Sequence, residues 1–126
     1  MIGIDNWFVL NNIFGDDFSL SNSILDVVNF SAIGGRLSLD IIVNCKVENP
    51  PRKWEKWDRV YVKLDFFGVK EALFIVNYMK FEISSFMIEE VEENQYRLDI
   101  QSVKKDKINC LFGGASVQNV KPLFNN

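Results

Sequence analysis

The chain has 126 residues, of which 48% are hydrophobic and 25% charged, and its net charge at pH 7 is −3. This composition predicts one globular domain spanning residues 1–126, with a core that needs neither disulfides nor a structural metal. It excludes a disordered or collagen-like chain, and the apolar runs are too short to cross a bilayer. The acidic balance argues against nucleic acid and membranes as partners, because phosphate-rich surfaces attract basic proteins.

Histidine is absent from the sequence. This excludes Ser–His–Asp and Cys–His catalysis and removes the commonest zinc ligands. The two cysteines, Cys45 and Cys110, form no Cys-x-x-Cys motif, so we expect them to be free thiols inside the core. We expect no cofactor and no metal. The first residues do not resemble a secretory signal, and two scattered cysteines suit a reducing compartment, so a cytoplasmic location is expected.

Residues 5–14 are predicted to form a short helix. Asp5 or Asn6 would cap its start, and Gly15 stands where a helix ends with positive φ. The predicted apolar stripe comprises Trp7, Leu10 and Phe14.

Beyond Gly15, apolar and polar residues alternate, which is typical of strands. Residues 24–33 and 36–48 are predicted to pair as a hairpin with a two-residue loop at Gly34 and Gly35, because such loops need positive φ. The register would place apolar residues of both strands on one face. The expected pairs are Ile33 with Arg36, Ala32 with Leu37, Phe30 with Leu39 and Val28 with Ile41, and the apolar stripe continues through Val43, Cys45 and Val47.

Further strands are predicted along the rest of the chain. Residues 59–67 alternate regularly, and residues 73–76 are apolar on both faces, which favours a doubly buried strand. Residues 81–90 and 96–103 would pair around an acidic turn, and residues 108–112 would pair with 115–120 across Gly113 and Gly114. The expected cross-strand pairs are Phe86 with Ile100, Ile88 with Leu98, Glu89 with Arg97, and Cys110 with both Ile100 and Val117. The sequence therefore predicts a single, mostly β (α+β) domain, an antiparallel β-meander or sandwich-like fold with one short N-terminal helix.

Two tryptophans lie three residues apart in the loop at residues 49–57, which also contains prolines and several charges. Trp and Arg are common at the energetic centres of interfaces, because a rigid aromatic ring buries much area at low entropic cost. Arg52, Trp54 and Trp57 are therefore candidate partner-binding residues. The alternative is that both indoles fold back as a lid over the sheet.

Four carboxylates crowd a second predicted turn. They would create a local negative field that steers a basic partner. The alternative is a solvated hairpin tip that discourages edge-to-edge association. The four candidates are Glu89, Glu90, Glu92 and Glu93.

Without histidine, a pair of carboxylates is the main enzymatic route left. Asp40 and Asp65 are predicted to face away from the apolar stripes, and they would converge if their strands are neighbours. Two carboxylates on a solvated sheet face are ordinary and imply no cleft. We therefore expect no catalytic residue and no enzymatic activity.

Several short motifs follow one another in a characteristic order. Residues 13–15 (Ile-Phe-Gly) precede residues 19–24 (Ser-Leu-Ser-Asn-Ser-Ile), and residues 60–69 (Val-Tyr-Val-Lys-Leu-Asp-Phe-Phe-Gly-Val) precede a closing apolar strand at 117–122. Asn77 and Ile83 follow the motif at residues 60–69 at about the interval found in the family named next. In this order the sequence resembles the immunity protein 50 family of bacterial polymorphic-toxin systems.

The sequence departs from the family pattern at three neighbouring positions. Ser21 and Asn22 stand where the family often has His-Asp, and Leu20 replaces an aromatic residue. We expect Ser21 and Asn22 to stabilise the junction between helix and strand through turn hydrogen bonds.

The resemblance implies an immunity protein that binds a cognate protein toxin and neutralises it by steric occlusion, without chemistry. An acidic, compact β domain with aromatic and acidic loops is compatible with that role. The residues themselves leave another reading open, a structural or small-ligand-binding β domain that serves as a subunit of a larger assembly.

Overall fold

A computed structural model describes residues 1–77 and 79–124. Within these ranges, one helix precedes eight strands, so the predicted mostly β class with a short N-terminal helix is confirmed. All strand pairs are antiparallel, and the order in the sheet is β4-β7-β6-β5-β1-β2-β3-β8. The elements are α1 (Phe8–Phe14), β1 (Ile24–Ser31), β2 (Arg36–Val43), β3 (Arg59–Phe67), β4 (Lys70–Ile75), β5 (Phe81–Glu92), β6 (Gln95–Ser102), β7 (Lys107–Phe112) and β8 (Gly114–Leu123).

The sheet consists of two four-stranded halves with a narrow junction. Strands β1 and β5 pair only through Ile24 with Glu82 and Leu25 with Phe81. The inner faces of the halves share one apolar cluster, in which the rings of Phe66 and Phe112 meet edge to face at 5.0 Å. The eight strands therefore form one open antiparallel sheet whose two halves share a single core.

Strand β3 occupies the predicted residues, 59–67. Its even-numbered side chains from Val60 to Phe66 are all buried, because they alternate towards the core. The predicted register of β5 and β6 is also confirmed: Phe86 faces Ile100 and Glu89 faces Arg97.

The β1–β2 hairpin forms, but its predicted register is wrong by two residues. Ser31, not Ile33, faces Arg36, so the loop has four residues, 32–35. Gly34 and Gly35 have the expected positive φ, at +84° and +58°. The loop is longer because it folds against the turn between β3 and β4, where the Val69 amide donates to the carbonyl oxygen of Gly35. A shift of two preserves the faces of both strands.

The apolar face of β1 is less covered than the sequence predicts. Val28 and Phe30 lie on the core side opposite Leu39 and Leu37, yet 38% and 39% of their surfaces are exposed. Beyond its first residues β1 has no ladder with β5, so the other half of the sheet covers it less; the ring of Phe74 approaches that of Phe30 at 5.4 Å.

Strand β4 is not doubly buried, which corrects the prediction for residues 73–76. It lies at the edge of the sheet and pairs only with β7. Ala72 and Phe74 pack against the core, whereas Leu73, Ile75 and Val76 are exposed. The apolar stripe on β2 likewise ends early: Cys45 and Val47 follow the strand and are half-buried.

Strands β7 and β8 do not form the predicted hairpin. Strand β7 lies between β4 and β6, whereas β8 pairs with β3 on the other half. Cys110 therefore faces Leu98, rather than Ile100 or Val117. The chain crosses between the halves at Gly113, whose amide donates to the carbonyl oxygen of Phe67 at 2.8 Å.

Helix α1 begins later than predicted and has no side-chain cap. Asn6 does not cap the helix: its side chain donates to the carbonyl oxygen of Val117 at 2.9 Å and accepts from the amide of the same residue at 2.6 Å. The helix does end at Gly15, where φ is +99°. No helix of residues 1–77 and 79–124 has the length and apolarity to cross a membrane.

The polar segment between α1 and β1 is a tight turn. The backbone amide of Ser21 donates a hydrogen bond to the hydroxyl of Ser19 at 3.1 Å. Asn22 has a φ of +67°, and its amide donates to the carbonyl oxygen of Ile83. The Ser23 hydroxyl accepts the amide of Asn44. Ser21 and Asn22 thus bond through their backbone amides, and the side-chain hydroxyls that take part in these bonds are those of Ser19 and Ser23, which corrects the predicted roles.

Both cysteines are free thiols, as predicted. Cys110 is fully buried, and burial raises the pKa of its thiol to about 11. Cys45 is only half-buried.

Candidate functional site

The tryptophan loop (residues 49–57) connects β2 to β3. The rings of Trp54 and Trp57 meet edge to face at 5.5 Å, and both are half-buried against the core cluster. The Trp54 amide donates to the carbonyl oxygen of Pro51, and the Arg52 side chain is exposed. Each indole therefore has one part in contact with the core and another part accessible to a partner.

Both ends of this connection are fastened to other elements. The amides of Glu48 and Asn49 donate to the carbonyl oxygen of Ile13 at the end of α1, each at 2.9 Å. The Asp58 amide donates to the carbonyl oxygen of Leu123 at the end of β8. These bonds fix the two ends of the loop.

The acidic hairpin (Glu89, Glu90, Glu92 and Glu93) lies at the tip of β5 and β6, and all four side chains are exposed. The two-residue turn is formed by Glu93 and Asn94, whose φ is +59°. Within the part of the chain that the structure describes, none of the four carboxylates lies within 4.0 Å of a basic nitrogen. Their negative charge is therefore presented to solvent.

The structure does not bring the tryptophan loop and the acidic hairpin together. The loop ends where β3 begins, at Arg59. The hairpin lies beside the other end of β3, because Gly113 bonds to Phe67 and the carbonyl oxygen of Asn94 is 3.9 Å from the position of a Cβ atom on Gly113. Nine residues of strand separate the two groups, about 27 Å. One partner touches both only if its interface runs along the whole strand.

A third surface was not predicted from the sequence. A depression of about 310 Å³ lies on the face of β1, β2, β3 and β8 that points away from the core. Its side chains carry charges of both signs. We call it the charged bowl; it is lined by Asp26, Asp40, Tyr61, Lys63, Asn119 and Lys121.

One hydrogen bond spans the bowl. The hydroxyl of Tyr61 donates to Oδ2 of Asp26 at 2.9 Å. This bond raises the pKa of Tyr61, and partial burial and the negative charge of Asp26 raise it further. The outward direction of Tyr61 and Lys63 could be read from the alternation of β3. Their neighbours on β1 and β8 could not, because they are distant in sequence.

The two carboxylates considered for catalysis lie on adjacent strands but in different surroundings. Asp40 faces Lys63 and lines the bowl. Asp65 is buried, accepts a hydrogen bond from the Ser38 hydroxyl and lies 3.8 Å from the guanidinium of Arg36. Asp65 thus has a local structural role. In residues 1–77 and 79–124, no group of three or more acidic or cysteine side chains is placed to hold a metal ion.

The fold and these surfaces define a small antiparallel β protein with an aromatic loop, an acidic hairpin and a charged depression. The model of the Immunity protein 50 family matches residues 6–123. The chain therefore belongs to the Immunity protein 50 family. No curated protein matches it, and no solved structure does.

Proposed function

We propose that residues 1–126 act as a single domain that binds one cognate bacterial toxin domain in the cytoplasm and neutralises it by steric occlusion, without catalysis. Membership of the Immunity protein 50 family, over residues 6–123, carries this proposal. An immunity protein in this role blocks the toxin's working surface and needs no reactive group of its own.

The aromatic loop supports the binding role. Trp54 and Trp57 are held in place by core contacts and still expose part of their rings. Rigid aromatic side chains of this kind contribute most to the lifetime of a complex. In the proposal they anchor the toxin, and the exposed Arg52 contacts it at the rim of the interface.

The charge distribution supports a basic toxin surface. The chain carries a net charge of −3, and the acidic hairpin concentrates four exposed carboxylates at one tip. A negative field of this kind accelerates encounter with a positively charged partner. The glutamates therefore steer association even though they lie far from the tryptophans.

Co-expression tests this function. The toxin domain encoded beside this chain's gene would be expressed alone, with this chain, and with an unrelated β protein of similar size. We expect growth only with this chain, and no rescue from toxin domains of other systems. A purified, catalytically inactive toxin domain should also form a stable complex with it. The absence of both rescue and binding would overturn the proposal.

A further inference from the structure

We propose that the charged bowl is the recognition centre for the toxin, and that it accepts a protrusion of the toxin surface carrying a basic side chain next to an acidic one. This inference rests on the proposed function and deepens it by naming the contact surface. The argument combines the separation of charge in the bowl, its pre-organisation, its shape and its position.

Charges of opposite sign occupy opposite walls of the bowl. Asp26 and Asp40 lie on β1 and β2, whereas Lys63 and Lys121 lie on β3 and β8. The strand order β1-β2-β3-β8 fixes this separation, because each residue stays on its own strand. A partner whose charges run in the reverse order complements both walls at once.

The two walls form no close ion pair with each other. Asp40 and Lys63 are direct cross-strand neighbours. Nevertheless, among the residues described, no salt bridge within 4.0 Å joins Asp40 to Lys63 or involves Asp26 or Lys121. The charges of the bowl are thus available to groups that enter it.

The acidic wall is pre-organised. Tyr61 donates to Oδ2 of Asp26, which orients that carboxylate. Asp40, Tyr61 and Lys63 are half-buried and form the floor, while the rim residues Asp26 and Lys121 are exposed. Partial burial strengthens charge interactions at the floor relative to those on an open surface.

The shape favours a protein protrusion. A second copy of this chain would present the same concave surface, and two depressions cannot fill each other. A small molecule would lie mostly in solvent because the rim is exposed, whereas ligand sites bury most of their ligand. The net charge of −3 attracts a basic partner, whose cationic side chain would enter between Asp26 and Asp40.

The bowl lies close to the tryptophan loop along β3. Tyr61 pairs with Lys121, and two residues back along β3, Arg59 pairs with Leu123 beside the end of that loop. The bowl and the proposed anchors therefore lie towards the same end of β3, the bowl on the outer face and the indoles against the core. The acidic hairpin lies at the opposite end of β3, and in this proposal it attracts the toxin through its long-range negative field without contacting it.

A charge-swap variant tests this inference. In Asp40→Lys/Lys63→Glu the net charge and the cross-strand attraction are kept, but the order of charges is reversed. We expect its affinity for the inactive toxin domain from the adjacent gene to fall at least about tenfold, mainly through faster dissociation. The matched control is Lys70→Glu/Glu71→Lys, which swaps two exposed charges on β4; it should bind like the wild type.

A second variant covers the case in which the swap disturbs folding. Asp26→Asn/Lys121→Gln changes only exposed rim residues, and we expect its affinity to fall about fivefold or more with an unchanged melting temperature. If folded forms of both variants bind as tightly as the wild type, the bowl is not the contact surface, while the proposed function stands. If the wild type itself does not bind, the proposed function fails first. Concentration-dependent dimers of the chain alone, lost in the swap variant, would assign the bowl to self-association and overturn the inference.

Discussion

The amide of Val69 donates to the carbonyl oxygen of Gly35 at 2.8 Å, and a Cβ atom on Gly35 would lie only 2.6 Å from the carbonyl oxygen of Val69. The turn between β1 and β2 is thereby fastened to the turn between β3 and β4. Gly35 also has a φ of +58°. Gly34, its neighbour, has a φ of +84° but meets no atom within 4 Å of a Cβ position.

The two glycines should therefore differ in their response to alanine. Gly34→Ala adds only the strain of positive φ, and we expect it to lower the free energy of unfolding by about 1–2 kcal/mol. Gly35→Ala adds a collision with backbone and should cost about 1–3 kcal/mol more. Urea unfolding of both variants measures the difference. Equal losses would contradict the close approach of Gly35 to Val69.

Asn6 should contribute more to stability than its place before a short helix suggests. Asn6→Ala removes both hydrogen bonds to the Val117 backbone and leaves two polar groups unpaired in a buried residue. We expect a loss of about 2–3 kcal/mol in the free energy of unfolding. Asn12→Ala on α1, where the side chain is exposed, is the control and should change stability by less than about 0.5 kcal/mol.

Trp54→Ala and Trp57→Ala separate the two readings of the tryptophan loop. If the rings anchor the toxin, each variant should weaken binding by about 2–4 kcal/mol, chiefly through a higher dissociation rate measured on immobilised inactive toxin domain. Phe8→Ala, which removes an exposed aromatic ring on α1, should leave binding unchanged. Intact affinity together with a lower melting temperature would show that the indoles only cover the sheet.

Neutralising the acidic hairpin should act on a different rate. Replacing Glu89, Glu90, Glu92 and Glu93 by Gln should slow association about tenfold at low salt, because the steering field is lost. The difference should shrink at high salt, where such fields are screened. The control replaces Asp5, Asp16, Asp17 and Glu48 by their amides, which changes the net charge equally. An equal slowing by the control would assign the effect to total charge.

Tyr61 should titrate above its ordinary pKa of 10.0, because its hydroxyl donates to Asp26, with burial and negative charge as further causes. A raised pKa means that folding favours the protonated phenol. Its contribution to stability is therefore complete below pH 10 and is lost as the pH rises through the raised value. Tyrosinate absorbance followed against pH should show a late step, above pH 10, that belongs to Tyr61. Asp26→Ala should move this step towards pH 10, and Tyr61→Phe should remove it. A late step that survives Tyr61→Phe would contradict the assignment.

Local patterns predicted the fold where neighbours in sequence are also neighbours in space. The limits of β3 follow from its alternation, and the pairing of Glu89 with Arg97 follows from an apolar register around a short turn. Such features depend on a few residues and one turn. The order of motifs that resembles the Immunity protein 50 family was a separate signal, and the family match confirmed it.

The predictions failed where pairing joins distant segments. The sequence around Gly113 has the local pattern of a hairpin turn, yet β8 pairs with β3. Strand β4 lies at the edge because it pairs with β7 on one side only. The charged bowl was missed for the same reason: Asp26 and Lys121 come from opposite ends of the chain. Alternation gives the face of a side chain, but not which strands lie beside it.

The attachment of the N-terminal segment to β8 has a consequence for the order of folding. Ile4 bridges to Ala115, and Asn6 bonds to Val117 across 111 positions of sequence. Until the ribosome has made β8, Ile4 and Asn6 lack these partners. Pairing between such distant segments is also slow to form. In the proposed role, a copy would protect the cell only once β8 has been made and has paired with the N-terminal segment, so protein made in advance, rather than rapid new translation, would decide whether the cell survives the toxin.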